Sequence, residues 1–291
     1  MNKAINDLIK AFESHHYILG EELATAIFLL QNLEKPVLLE GSPGVGKTMV
    51  AKTLAKHLQT PLIRLQCYEG LDVNTTIYEW NYQKQLLHIK LFEQQEDKRA
   101  LGNKIFGMEY ILKRPLLQSI SSDKPVVLLI DEIDRADEEF EAYLLELLSD
   151  FQISIPELGT INALSKPMVI LTSNRTRELS DALRRRCLYH WVDFPSKQKE
   201  IAIIQKKMPH IDEDLAAQVV TFIHNLRQSS LHKPPGIAES LDWAKTLLLL
   251  NTKHITDAVV KNTIGCVLKH QDDIDFVKSK TVQEFLYPME T

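Results

Sequence analysis

The chain has 291 residues, 44% hydrophobic and 25% charged, with a formal charge of -5 at pH 7. That length suits two domains with sizeable cores, and the acidic balance excludes a general electrostatic attraction to nucleic acid or an anionic membrane. No apolar run approaches the roughly 18 residues of a membrane span, and the N-terminus lacks a signal-peptide core, so the expected compartment is the cytoplasm.

Two amphipathic segments, 5–12 and 21–33, come first. Strand patterns follow at 37–40, 62–66, 126–130, 168–172 and 188–192, with helical periodicity between most of them. Such alternation predicts a parallel five-stranded sheet covered by helices on both faces, with ligands at the carboxyl ends of the strands. The stretch 71–115, broken by Gly102 and Gly107, reads as helical with an inserted loop. Beyond 193 the strands stop, and 197–207, 214–227, 238–250 and 256–269 read as helices. The expected division is an α/β core, 1–193, followed by an all-helical lid, 194–291.

The first strand runs directly into Gly41, Ser42, Pro43, Gly44, Val45, Gly46, Lys47 and Thr48, and Met49 then opens a helical pattern. This is a complete phosphate-binding loop in the required strand-to-helix setting, and it implies a nucleoside triphosphate ligand. Its glycines let the backbone amides curl around a polyphosphate, Lys47 reaches the β- and γ-phosphates, and the Thr48 hydroxyl supplies an oxygen to Mg²⁺. Ser42, Pro43 and Val45 read as spacers.

The third strand of the sheet ends in Asp131 and Glu132. Their expected roles differ: Asp131 holds Mg²⁺ through its water shell, while Glu132 polarises the attacking water. The fourth strand ends in Asn174, placed to orient that water and sense the γ-phosphate, and Arg184, Arg185 and Arg186 precede the fifth. An arginine donated across a subunit boundary would stabilise transition-state charge.

Other chemistry-bearing residues have plainer readings. Cys67, Cys187 and Cys266, odd in number and without Cys-x-x-Cys spacing, read as reduced thiols. Trp80, Trp191 and Trp243 read as core or domain-interface aromatics, His15 and His16 have no carboxylate or cysteine at metal-ligand spacing in the sequence, Lys206 and Lys207 read as a solvated face, and Glu138, Glu139 and Glu141 complement a helix dipole.

Together these residues resemble the AAA+ ATPases, a P-loop NTPase class with a three-layer core, and more narrowly the MoxR family. The resemblance rests on 17–22, 38–48, 129–136, 144–148 and 172–174 and covers nearly the whole chain. Within that family, 64–72, 78–82 and 183–188 look like the subgroup accessory to carbon monoxide dehydrogenase (the CoxD type) and related molybdenum hydroxylases. The resemblance implies an ATP- and Mg²⁺-dependent chaperone-like ATPase, commonly a homo-hexamer. It also implies a metalloenzyme as protein client and a von Willebrand factor A domain protein as partner.

By position, the resemblance makes 41–48 the phosphate loop, Asp131 and Glu132 the Walker B pair, and Asn174 sensor 1. Arg186, with Arg185 as alternate, becomes the arginine finger, and Ile18 and Leu19 flank the adenine. It makes 151–161 a hairpin before sensor 1 and 71–115 an insert in helix 2. The chain departs from the pattern where Glu239 and Ser240 stand near the place many relatives give to an arginine. The alternatives are a DNA-directed AAA+ motor or loader, against which the acidic balance weighs, and a small-molecule kinase, whose mobile lid would be inserted within the core.

Overall fold

Nine strands occur among the described residues: β1 (Val37–Glu40), β2 (Leu62–Gln66), β3 (Tyr78–Trp80), β4 (Ile111–Lys113), β5 (Val127–Asp131), β6 (Gln152–Ile155), β7 (Gly159–Asn162), β8 (Met168–Ser173) and β9 (Leu188–Trp191). Five form one sheet in the order β2-β5-β8-β1-β9, every neighbouring pair parallel. The inner strands β1, β5 and β8 are buried along nearly their whole length, as strands covered on both faces must be. The outer strands, β2 and β9, alternate in exposure and carry Arg64, Tyr189 and Trp191 on their open sides.

This computed structural model describes residues 3–92 and 105–287. The chain divides into two units: Met1–Leu8, Gly20–Glu40 and Val50–Trp191 form one, and Ile9–Leu19, Gly41–Met49 and Val192–Thr291 the other. In the first unit, helix Glu21–Leu33 packs on β1, β8 and β9, and helix Pro115–Ile120 on β2 and β5. Helix Glu138–Asp150 starts where Asp137 accepts the amide of Phe140 at 2.8 Å. Its Glu141 does more than complement the dipole: it is buried, pairs with Arg177 and accepts the Ser180 amide at 2.8 Å.

Within the described part of 71–115, the helices expected there are accompanied by two short strands that the sequence did not declare. After the short helix Val73–Ile77, β3 pairs antiparallel with β4, and helix Tyr82–Phe92 lies between them in sequence; the expected inserted loop falls in part on 93–104, outside the described residues. A three-residue strand is too short to declare a period of two, so its pairing is invisible locally. The expected hairpin forms from β6 and β7, with Ile155 opposite Gly159.

The second unit is helical from Lys197–Lys207 through Glu213–Arg227, Ile237–Leu249, Asp257–Thr263 and Gln271–Lys278 to Val282–Leu286. The single helix expected over 256–269 instead ends at Thr263 and passes into the 3-10 turn Ile264–Cys266, where Gly265 weakens a continuing α-helix. Phe222 sits 5.0 Å from the rings of both Trp243 and Phe285, and the Trp243 indole donates to Thr263 Oγ1 at 2.8 Å. Trp243 is therefore core, whereas Trp191 is 37% exposed, with the Arg175 guanidinium 5.7 Å from its ring centre.

Glu200 is a fully buried charge in this helical unit. Glu200 takes two hydrogen bonds from Arg227, at 2.7 and 2.9 Å, one from Ser240 at 2.5 Å and one from His224 Nε2 at 3.0 Å. Burial holds His224 below its ordinary value, so its imidazole is neutral at pH 7; the carboxylate can only accept, which places the proton on Nε2. On the surface of the same unit, Lys206 pairs with Glu13 at 2.6 Å, so only Lys207 remains of the expected solvated pair. Burial pushes the thiols of Cys67 and Cys187 up to about 12, consistent with unreactive sulfur. Among the described residues no helix is long and apolar enough to cross a membrane.

Candidate nucleotide site

Two groups of residues carry the chemistry expected from the sequence, one in each unit. The first is the phosphate loop, which follows Glu40 at the end of β1. A side chain at Gly41 would place its Cβ 2.2 Å from the Val192 carbonyl oxygen, so only glycine lets the loop leave the strand here. Lys47 is 6% exposed, and its ammonium donates to the carbonyls of Gly41 at 2.6 Å and Ser42 at 2.8 Å. Thr48 is half-buried at the start of helix Lys47–His57, and Met49 is 39% exposed. Val45, expected as a spacer, is 4% exposed and anchors the loop.

Of the residues expected beside the adenine, Ile18 is half-buried and Leu19 buried. Tyr17, which the sequence did not single out, lies with its ring edge 4.0 Å from the Cβ position of Gly46 and packs edge-on against Phe12. On the loop's other side stands the start of helix Ile237–Leu249: the Ile237 amide donates to the Gly44 carbonyl at 3.0 Å. Glu239 caps that helix, its carboxylate accepting the Gly236 amide at 2.9 Å, and Ser240 is taken by Glu200. The two residues standing in the arginine's place thus have structural duties of their own.

Gly236 was also missed, because its value lies in an approach between two backbones. A Cβ there would come within 2.8 Å of Gly44 Cα and 2.9 Å of the Pro43 carbonyl oxygen. Gly236→Ala is expected to disturb the loop by about 1–3 kcal/mol and weaken nucleotide binding in proportion. Fluorescence titration with a labelled nucleotide checks this, with Gly265→Ala, where a Cβ meets nothing within 4 Å, as the control.

The second group lies on the carboxyl edge of the sheet, where β8 stands between β5 and β1. Asp131, 3% exposed, accepts from Thr172 Oγ1 at 2.5 Å through one oxygen and from Arg64, at 2.5 and 3.0 Å, through the other. Glu132 takes a left-handed backbone, φ 57° and ψ 49°, unusual for a side-chain-bearing residue. Its amide donates to the same Thr172 hydroxyl at 2.9 Å, and its carboxylate lies 3.1 Å from Arg135 Nε. Thr172 therefore holds both acids with one oxygen atom.

Asn174 follows β8 and is half-buried. The buried Asp134 fixes the turn that carries it, accepting the Asn174 amide at 3.1 Å, the Thr176 amide at 2.9 Å and the Thr176 hydroxyl at 2.7 Å. Asp131, Glu132 and Asn174 are thus joined through Thr172 and Asp134, two residues that fall within the runs carrying the family resemblance but to which sequence reasoning gave no role. Their local signals are slight, a polar side chain in the apolar strand β8 and an acid in the turn after β5. Glu40, buried at the end of β1, accepts the Ser173 hydroxyl at 3.3 Å, with Arg175 Nε 4.0 Å away.

The three consecutive arginines have separate fates. The Arg184 guanidinium lies 5.7 Å from the Tyr189 ring centre. Arg186 donates to Ser149 Oγ at 2.5 Å and to the Ala182 carbonyl at 2.9 Å. Arg185 is exposed and has no hydrogen-bond, ion-pair or ring partner among the described residues.

Comparison with known proteins places this geometry. Residues 37–194 match the family model described as "ATPase family associated with various cellular activities (AAA)". An uncharacterized protein of Staphylococcus haemolyticus is 26% identical over 268 residues, covering 88% of this chain and 92% of that protein. Fidgetin-like protein 1 of Drosophila melanogaster is 25% identical over 190 residues, 63% of this chain and 30% of that protein, so the chain spans under a third of its length. Among solved structures, a mutant of Thermotoga maritima RuvB aligns with a TM-score of 0.49 at 19% identity, over 91% of this chain and 72% of that one. The matched family segment takes in more than half of the chain, including the phosphate loop, Asp131, Glu132 and Asn174, and the chain belongs to the AAA family of ATPases.

Proposed function

We propose that this ATPase drives a remodelling or maturation step on a protein client as a ring of copies of itself, commonly six in the family it resembles. The client is a metalloenzyme of the molybdenum-hydroxylase type, served together with a von Willebrand factor A domain protein. The client assignment rests on the resemblance of 64–72, 78–82 and 183–188 to the accessory subgroup. A protein-binding role is supported by helix Tyr82–Phe92, on which Leu86, Leu87 and Leu91 are 58, 58 and 61% exposed. The division into a core, 1–193, and a lid, 194–291, belongs to the same reading.

The observation that carries the hydrolytic mechanism is the single Thr172 hydroxyl bonded to both Asp131 and the Glu132 amide. In this mechanism Lys47 leaves the loop carbonyls for the β- and γ-phosphates, and Ile18 and Leu19 flank the adenine. Thr48 and Asp131 offer a hydroxyl and a carboxylate, hard oxygen donors of the kind Mg²⁺ takes. When bound, Mg²⁺ neutralises charge on the phosphates. Glu132 draws a proton from the attacking water, and Asn174 orients that water from the turn fixed by Asp134.

The lid supplies no cation at 239 or 240, so in this reading hydrolysis either leans on an arginine from a neighbouring copy, Arg186 or Arg185 with its unengaged side chain, or is slow. ATP turnover per chain is expected to climb with protein concentration. Replacement of the acting arginine by Ala should lower it by about 10³-fold or more with nucleotide binding retained. Turnover that is flat with concentration, and indifferent to both Arg185→Ala and Arg186→Ala, would remove the shared-site reading.

A further inference from the structure

Away from the nucleotide site, the helical unit gathers His232, His270 and Asp272 at its surface. One ligand atom from each lies within 4.8 Å of the others. Asp272 Oδ2 is 3.8 Å from His232 Nε2 and 3.7 Å from His270 Nδ1, and the two imidazole rings are stacked with centres 4.7 Å apart. We propose that these three side chains form a binding site for a divalent transition-metal ion, Zn²⁺ foremost, that clips the loop before Gly236 to the helix Gln271–Lys278.

The donor set decides the metal class. Two imidazole nitrogens and one carboxylate oxygen suit Zn²⁺ and its neighbours, whereas Mg²⁺ and Ca²⁺ favour all-oxygen shells. A tetrahedral Zn²⁺ with bonds near 2.0–2.1 Å asks for donors roughly 3.4 Å apart, so closure needs the Asp272 oxygen to draw in by a few tenths of an ångström and the two stacked imidazoles, whose ligand atoms lie within 4.8 Å, to turn toward the ion. The side chains are 64, 54 and 74% exposed and free to rotate into it. The backbone at the loop is already fixed: the buried Asp273 accepts the His232 amide at 3.0 Å and the Lys233 amide at 3.3 Å, binding the loop to the helix that carries Asp272 and that His270 immediately precedes. Three protein ligands leave one position for water, an open site and not the closed kind that folds a zinc finger.

The position gives the clip a consequence. The loop it would hold runs into Gly236 and Ile237, and the Ile237 amide bonds to the Gly44 carbonyl of the phosphate loop. A metal at His232, His270 and Asp272 therefore braces the segment that meets that loop, and the proposal stands whether or not the client assignment does.

The test uses the full chain, free of any histidine tag and without nucleotide, titrated with Zn²⁺ by calorimetry and with Co²⁺ by absorption. The expected result is one ion per chain, a Co²⁺ spectrum with d–d bands and no thiolate charge transfer, and a thermal midpoint that rises with Zn²⁺. His270→Ala and Asp272→Ala should each weaken binding by at least about tenfold and abolish the thermal shift. All three residues are exposed, so the variants should fold, and circular dichroism verifies that they do. No saturable binding, or binding unchanged by His270→Ala and Asp272→Ala, overturns the proposal, as does a thiolate band that would place the ion on Cys266.

Discussion

Glu132→Gln is expected to bind ATP with little change while losing turnover by about 10² to 10⁴-fold, the range a positioned general base contributes. The substitution keeps the shape of the side chain and leaves the amide that reaches Thr172 untouched, so the sheet edge should stay intact. What goes is the negative charge that accepts the water's proton. The ion pair with Arg135 goes too, but both side chains are part exposed, at 33 and 55%, and pairs of that kind add little. Single-turnover hydrolysis and a labelled-nucleotide titration separate the two effects. Turnover within a few-fold of the parent would show that the water is activated elsewhere.

Glu200→Ala should be the most damaging single change in the helical unit, at about 3–5 kcal/mol. The carboxylate is fully buried, and its removal leaves the Arg227 guanidinium, only 7% exposed, without its counter-charge. Arg227 would keep the Pro235 carbonyl at 2.7 Å and the Phe194 ring at 4.6 Å, neither of which neutralises it. His224 and Ser240 lose their acceptor in the same step. Urea unfolding followed by the fluorescence of the buried Trp243 reads the loss, with Glu13→Ala, at the exposed Lys206 pair, as a control expected to change little. A loss below about 1 kcal/mol at Glu200 would show that the helices tolerate an unpaired guanidinium.

The large features were legible because they are local. A strand covered on both faces must be apolar throughout, so β5 and β8 announce themselves, and a phosphate loop is a contiguous string between a strand and a helix. The features that escaped are contacts between distant stretches of chain. Thr172 earns no notice in an apolar strand until β8 is laid beside β5 and its hydroxyl falls between Asp131 and Glu132. Gly236 looks like a helix start, and its second duty shows only where the Gly44 backbone passes it. Glu141 reads as one more acid in a first turn, yet it is the buried partner of Arg177. The short pairing of β3 with β4 and the interruption at Gly265 escaped for a different reason, since segments that brief carry too little periodicity to declare themselves.

The Thr172 hydroxyl has a single hydrogen. That hydrogen is directed to Asp131, which leaves the oxygen's lone pairs for the Glu132 amide, and the two bonds polarise each other. Any cation that draws electron density from Asp131 therefore weakens the carboxylate's hold on the hydroxyl proton and, through the same oxygen, loosens the grip on the backbone of Glu132. The edge of the sheet behaves as a two-bond telegraph, in which the electrical state of one acid sets how firmly its neighbour is held in its left-handed turn.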